Sequence, residues 1–142
     1  MDLLIRKSHP KAVIPTFAHD DDACFDLTAT SVKVVGSRSR IYGTGLHFDI
    51  PKGYHVEAYI RSSIAFKKQI ILTNGVGIID SGYTGEVMLH LTYVGEDHPE
   101  WPWVGDRIAQ ARLVRNTKTE IKETHDKTET ERGGGGFGST GE

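Results

Sequence analysis

Through most of this chain apolar residues recur at every second position, not every third or fourth. In "GLHFDIPKGYHV", Leu46, Phe48 and Ile50 alternate with polar neighbours, and Pro51-Lys52-Gly53 supplies a turn. In "EVMLHLTYV", Val87, Leu89, Leu91 and Tyr93 alternate with Met88, His90 and Thr92. The run "QIILTNGVGIID" is apolar and β-branched, and it breaks at Asn74-Gly75, a strong turn signal. Short strands separated by Gly, Pro and Asn predict an all-β sandwich or barrel. One segment departs from this period. "SSIAFKK" predicts a short helix with Ser62 as its N-cap.

Beyond Arg115 the pattern fades. "RNTKTEIKETHDKTETE" is nearly all polar, with Ile121 its one aliphatic residue. The alternation in "TKTEIKET" predicts an edge strand there, and the remainder reads as a solvated linker. The expected division is a β-rich body over 1–115, a polar arm over 116–131 and a glycine-rich segment over 132–142.

Composition narrows the setting. At 142 residues, with 37% hydrophobic and 25% charged residues, the chain fits one soluble domain. A formal net charge of -2 gives no general attraction to nucleic acid or to an anionic membrane, so any site for a polyanion must be local. Cys24 is the single cysteine, which excludes an intrachain disulfide and favours a reducing setting, the cytoplasm or a nucleus reached from it. "MDLLIRKSHP" does not read as a signal peptide, and no apolar run approaches the roughly 20 residues of a membrane span.

Candidate chemistry lies in a few stretches. "GGGGFGST", Gly133 to Thr140, has the glycine and threonine spacing of a phosphate loop, but Ser139 stands where that loop needs lysine and no helix can follow. Consecutive glycines still let successive N–H groups turn toward one anion, with Arg132 able to grip a phosphate and Phe137 to stack on a base. Composition alone leaves a slack tail equally open. In "GIIDSGYTGE", Asp80 follows an apolar run and suits either a general base or a turn aspartate bonding its own backbone. Tyr83 is by itself ordinary strand packing. "YIRSSIA" joins Arg61 to a helix start, where free N–H groups suit phosphate. "GDRIAQA" offers Gln110 as a polar contact. The histidines lack zinc-type spacing, and Asp20-Asp21-Asp22 lacks a calcium-loop pattern.

Taken in order, "DACFDLTA", "RSSIA", "GIIDSGYTGEV", "GDRIAQ" and "RGGGGFGSTG" resemble the five motifs of the trimeric deoxyuridine triphosphatase (dUTPase) family, from about Asp22 to Gly141. The resemblance implies a distorted jelly-roll or β-barrel homotrimer with one short helix after the second motif. It implies hydrolysis of dUTP to dUMP and pyrophosphate with Mg2+, which lowers dUTP and supplies dUMP for thymidylate synthesis. Active sites would lie between subunits, each drawing motifs from all three chains. Asp80 would activate the attacking water. Asn74 would read uracil, helped by backbone groups of Gly75 and Met88, and the Tyr83 ring would pack on the deoxyribose. Arg61, Ser62, Ser63 and Gln110 would bind phosphate, and Asp26 would reach the metal through water. Arg132 would hold the γ-phosphate and Phe137 would cover the uracil, while Gly138, Ser139 and Thr140 wrap the phosphates in a mobile lid.

The chain departs from the family pattern at three positions. Ser63 replaces a glycine in the second motif, Gly82 stands where the third often has an acidic residue, and Cys24 replaces a glycine in the first. None removes a group with an assigned role. Two other readings remain at this level: a dCTP deaminase of the same fold, and a nucleotide-sensing or partner-binding protein. A regulatory protein partner is also left open, since some viral and phage members of the family have one.

Overall fold

The computed structural model describes residues 1–141. Ten strands and one helix follow in chain order: β1 (Leu4–Lys7), β2 (Phe25–Thr28), β3 (Ser31–Gly36), β4 (Ser39–Gly43), β5 (Leu46–Asp49), β6 (Tyr54–Ile60), α1 (Ser62–Lys68), β7 (Ile70–Leu72), β8 (Gly77–Asp80), β9 (Met88–Tyr93) and β10 (Arg107–Arg115). They form a two-stranded sheet β1-β5 and two four-stranded sheets, β2-β10-β6-β8 and β3-β4-β9-β7, with antiparallel pairing throughout. The fold is an all-β jelly-roll type with one short helix, as expected.

Alternation explains which face each strand buries. Leu89, Leu91 and Tyr93 of β9 are buried while Met88 is exposed, and Val56 and Ala58 of β6 are buried between the half-buried His55, Glu57 and Tyr59. Both large sheets contribute to one core, with Leu27, Val56 and Ile108 from the first and Tyr42, Ile70 and Leu91 from the second. Tyr42 is wholly buried, yet its hydroxyl donates to Pro102 O at 2.8 Å, so the one polar atom of that side chain is satisfied. Burial pushes the same phenol up to about 12.

Two expectations need correction. The helix is capped by Arg61, not Ser62. Arg61 has extended backbone angles, no side-chain cap bond forms, and its carbonyl accepts the N–H groups of Ile64 and Ala65 at 3.0 Å each. Ser62 is thus the first helical residue, displaced because β6 runs to Ile60 and the chain turns one residue early. No strand forms over "TKTEIKET". Ile121 is 94% exposed, and alternation without a partner strand or a buried face stabilises nothing. The turn expected at Asn74-Gly75 is present, and the apolar runs on either side of it pair with other strands. β7 pairs with β9, and β8 pairs with β6 in the other sheet, so this turn carries the chain between sheets.

Candidate active site

The turn after β7 is built by two hydrogen bonds, one of which needs a residue with positive φ. Gly75 N–H reaches Leu72 O at 2.9 Å, and the φ of 74° at Gly75 lets the next N–H, that of Val76, fold back to Asn74 O at 2.8 Å. Beside it lies an open slot of about 430 Å³, lined by Leu72, Thr73, Asn74, Gly77, Met88, Leu89 and His90. The expected base-binding residues Asn74, Gly75 and Met88 are therefore neighbours. Tyr83 belongs to the next turn. Its N–H bonds Asp80 O at 3.0 Å and its hydroxyl donates to Glu86 O at 2.8 Å. The ring lies close over Gly85, where a Cβ would come within 2.5 Å of the hydroxyl, so only glycine permits this pose. Asp80 ends β8, is exposed, and stands opposite His55 at the start of β6.

The expected phosphate residues outside the tail, Arg61, Ser62, Ser63 and Gln110, gather with Asp26 at the other end of the same sheet. Arg61 Nε lies 3.1 Å from Asp26 Oδ1, and Arg107 contacts Asp26 Oδ2 at 2.9 Å. Arg61 also donates to Arg107 O at 3.2 Å, and Gln110, opposite Asp26, donates to Ile60 O at 3.3 Å. One half-buried carboxylate thus holds two guanidinium groups side by side, a local positive site on a chain with no net positive charge. Arg107 was not singled out in the sequence, although it sits in the quoted "GDRIAQ". Ser62 and Ser63 open α1 and are exposed.

These groups do not converge within the chain. Asp80 faces His55, and Arg61 follows six residues later along β6, a separation of about 20 Å at strand rise. The tail lies apart from both. Among the described residues, those from 117 onward hydrogen-bond only to residues two or three positions away, including Arg132 Nε to Gly135 O at 2.9 Å. Phe137 is fully exposed, with φ 51°.

A polar cluster between the two ends escaped sequence reading. Glu57 accepts from Tyr59 and Arg112 (3.0 Å) and contacts His55 Nε2 at 3.2 Å, while His55 Nδ1 lies 2.5 Å from Asn116 Oδ1. The signal was present in "GYHVEAYI", where a period of two places His55, Glu57 and Tyr59 on one face. The Tyr59 hydroxyl first, then His55 and Arg112, bring the Glu57 carboxyl down from 4.5 to about 2. The hydrogen bond to Asn116, then that to Glu57, raises the His55 imidazole. Because the Glu57 value is depressed on folding, its stabilisation is present above about pH 4.5 and is lost as pH falls toward about 2. Between those limits the native chain should lose melting temperature more steeply than Glu57→Gln, which thermal scans at stepped pH will measure. Parallel slopes would remove Glu57 from the acid response.

Comparison with known proteins adds to this geometry. The dUTPase family model matches residues 10–141. A deoxyuridine 5'-triphosphate nucleotidohydrolase of Nautilia profundicola is 39% identical over 142 residues, covering 99% of each chain. That of Solibacter usitatus is 38% identical over 144 residues, covering 99% of this chain and 97% of its own. In structure, a mutant dUTPase of Staphylococcus bacteriophage 80alpha with dUpNHpp matches with a TM-score of 0.84 at 23% identity, covering 99% of this chain and 98% of its own.

Proposed function

This chain belongs to the dUTPase family, and on that premise we propose that it hydrolyses dUTP to dUMP and pyrophosphate. The observation that carries the reading is the family match over residues 10–141, which takes in every stretch with candidate chemistry. Asp80 accepts a proton from a water whose oxygen attacks the α-phosphorus. The bond from that phosphorus to the bridging oxygen breaks, and pyrophosphate leaves with the bonding pair. Free of side-chain hydrogen bonds among the described residues, the Asp80 carboxylate is available for this task.

Uracil enters the slot at Asn74, where Gly75 and Met88 present backbone groups, and the Tyr83 ring lies against the deoxyribose. Arg61, Ser62, Ser63 and Gln110 bind the phosphate chain as charge develops on the leaving group. The described residues include no group of three or more His, Cys, Asp or Glu side chains able to hold a metal ion, and each Asp26 oxygen keeps one acceptor direction beyond its arginine. That donor set fits a Mg2+ held by phosphate oxygens and water, with Asp26 reaching a metal-bound water. When bound, the ion neutralises charge on the phosphates.

The separation of Asp80 from Arg61 supports sites shared between copies in a homotrimer, in which Asp80 of one chain meets Arg61 of another. In this arrangement residues 1–115 form the body and 116–131 the arm, which carries residues 132–142 as a lid onto a neighbour. There Arg132 takes the γ-phosphate, Phe137 covers the base, and Gly138, Ser139 and Thr140 wrap the phosphates.

The test is a nucleotide panel of dUTP, UTP, dTTP and dCTP with Mg2+, assayed for pyrophosphate and for ammonia. Pyrophosphate should come from dUTP, with UTP and dTTP slower by on the order of 100-fold or more. Ammonia from dCTP, or no turnover of dUTP, would overturn the reading.

A further inference from the structure

The slot beside Asn74 is bordered by two side chains that the motif roles leave unused, Thr73 and His90. Thr73 N–H donates to His90 O at 2.9 Å, which carries the β7–β9 ladder one step past the Leu72–Leu91 pair. The side chains close the same step. Thr73 Oγ1 lies 2.6 Å from His90 Nδ1 and 2.7 Å from Thr92 Oγ1, and Thr92 Oγ1 lies 3.3 Å from Ser39 Oγ. Each hydroxyl has one proton to give. With Nδ1 accepting, donation runs from Ser39 to Thr92 to Thr73 to His90; with the proton on Nδ1 it runs the other way, and either direction satisfies the row. The row crosses from β4 over β9 to the first residue of the Asn74 turn.

Little else secures that turn on its outer side. Leu72 and Leu89 anchor the inner side in the core, but Met88 is 55% exposed and Ile71 is 40% exposed. We propose that Thr73 and His90 are positioning residues of the base slot, a clamp that holds the Asn74 turn at a set distance from Met88 and thereby sets affinity for the uracil base. The inference rests on the assignment of this slot to uracil. It gives neither residue a part in bond making.

The experiment compares Thr73→Val, His90→Leu, His90→Asn and the Thr73→Val/His90→Leu double variant with the native full-length protein. Loss of the Thr73–His90 hydrogen bond, accompanied in Thr73→Val by loss of the bond to Thr92, should raise KM for dUTP by about fivefold to tenfold in Thr73→Val and His90→Leu, with kcat nearly unchanged. Affinity for dUMP, read by calorimetry, should fall by the same factor. His90→Asn, whose Oδ1 can stand where Nδ1 stood, should recover most of the loss, and the double variant should be no worse than either single one. Unchanged KM and dUMP affinity, independent additive losses, or no recovery in His90→Asn would overturn the proposal. Failure of the native protein to hydrolyse dUTP would instead overturn the functional reading, while intact turnover with insensitive variants would sink the clamp alone.

Discussion

Asp80→Asn should bind dUTP as tightly as the native protein and turn it over about 100- to 10,000-fold more slowly, the range spanned by a positioned general base. Asparagine matches aspartate in shape, so β8 and its pairing with β6 persist. The hydrogen bond from Tyr83 N–H goes to the Asp80 main-chain oxygen, not to the carboxylate, so the substitution leaves the turn intact. This detail also bears on the two meanings the sequence leaves open for the residue. A turn aspartate would bond its own backbone through its side chain, and Asp80 does not do so among the described residues. Calorimetry for binding and pyrophosphate release for turnover decide the matter. Near-native turnover would end the assignment of Asp80 as the base.

Removal of residues from Arg132 onward should leave the melting temperature and oligomeric mass unchanged and lower kcat/KM by on the order of 100- to 1,000-fold. The expected silence in stability follows from the contacts. From residue 117 the described chain makes only local hydrogen bonds, and Phe137 buries nothing. The expected loss of activity follows from the groups removed, which are one guanidinium, one aromatic ring and a series of backbone and hydroxyl donors. Thermal melting, light scattering and steady-state kinetics on the truncated chain suffice. Full activity would return the segment to slack linker.

Much of the fold was legible because a period of two leaves a direct mark in sequence. The core residues of β9, Leu89, Leu91 and Tyr93, are those whose alternation predicted burial. Local pattern failed where the outcome depended on what else was near. "TKTEIKET" alternates as a strand should, but among the described residues no partner pairs with it. Ser62 is a favourable cap, but β6 ended in a way that put Arg61 in that place. The site divides similarly. Asp80, Asn74, Arg61 and Gln110 stand out in their stretches, whereas the sequence gives Arg107, Thr73 and His90 no site role, because their interest lies wholly in what they touch: Asp26 for the first, and each other for the last two.

The order of residues along the chain by itself determined the β class, the turns, the single short helix and the family, since each depends on local periodicity, turn chemistry or ordered motifs. Only the tertiary structure decided that the Asn74-Gly75 turn joins two sheets, that one carboxylate holds Arg61 and Arg107 together, and that Asp80 lies about 20 Å along β6 from Arg61. The physical reason is that strand partners are chosen by long-range pairing and shared burial, which bring together residues as distant in sequence as Asp26 and Arg107.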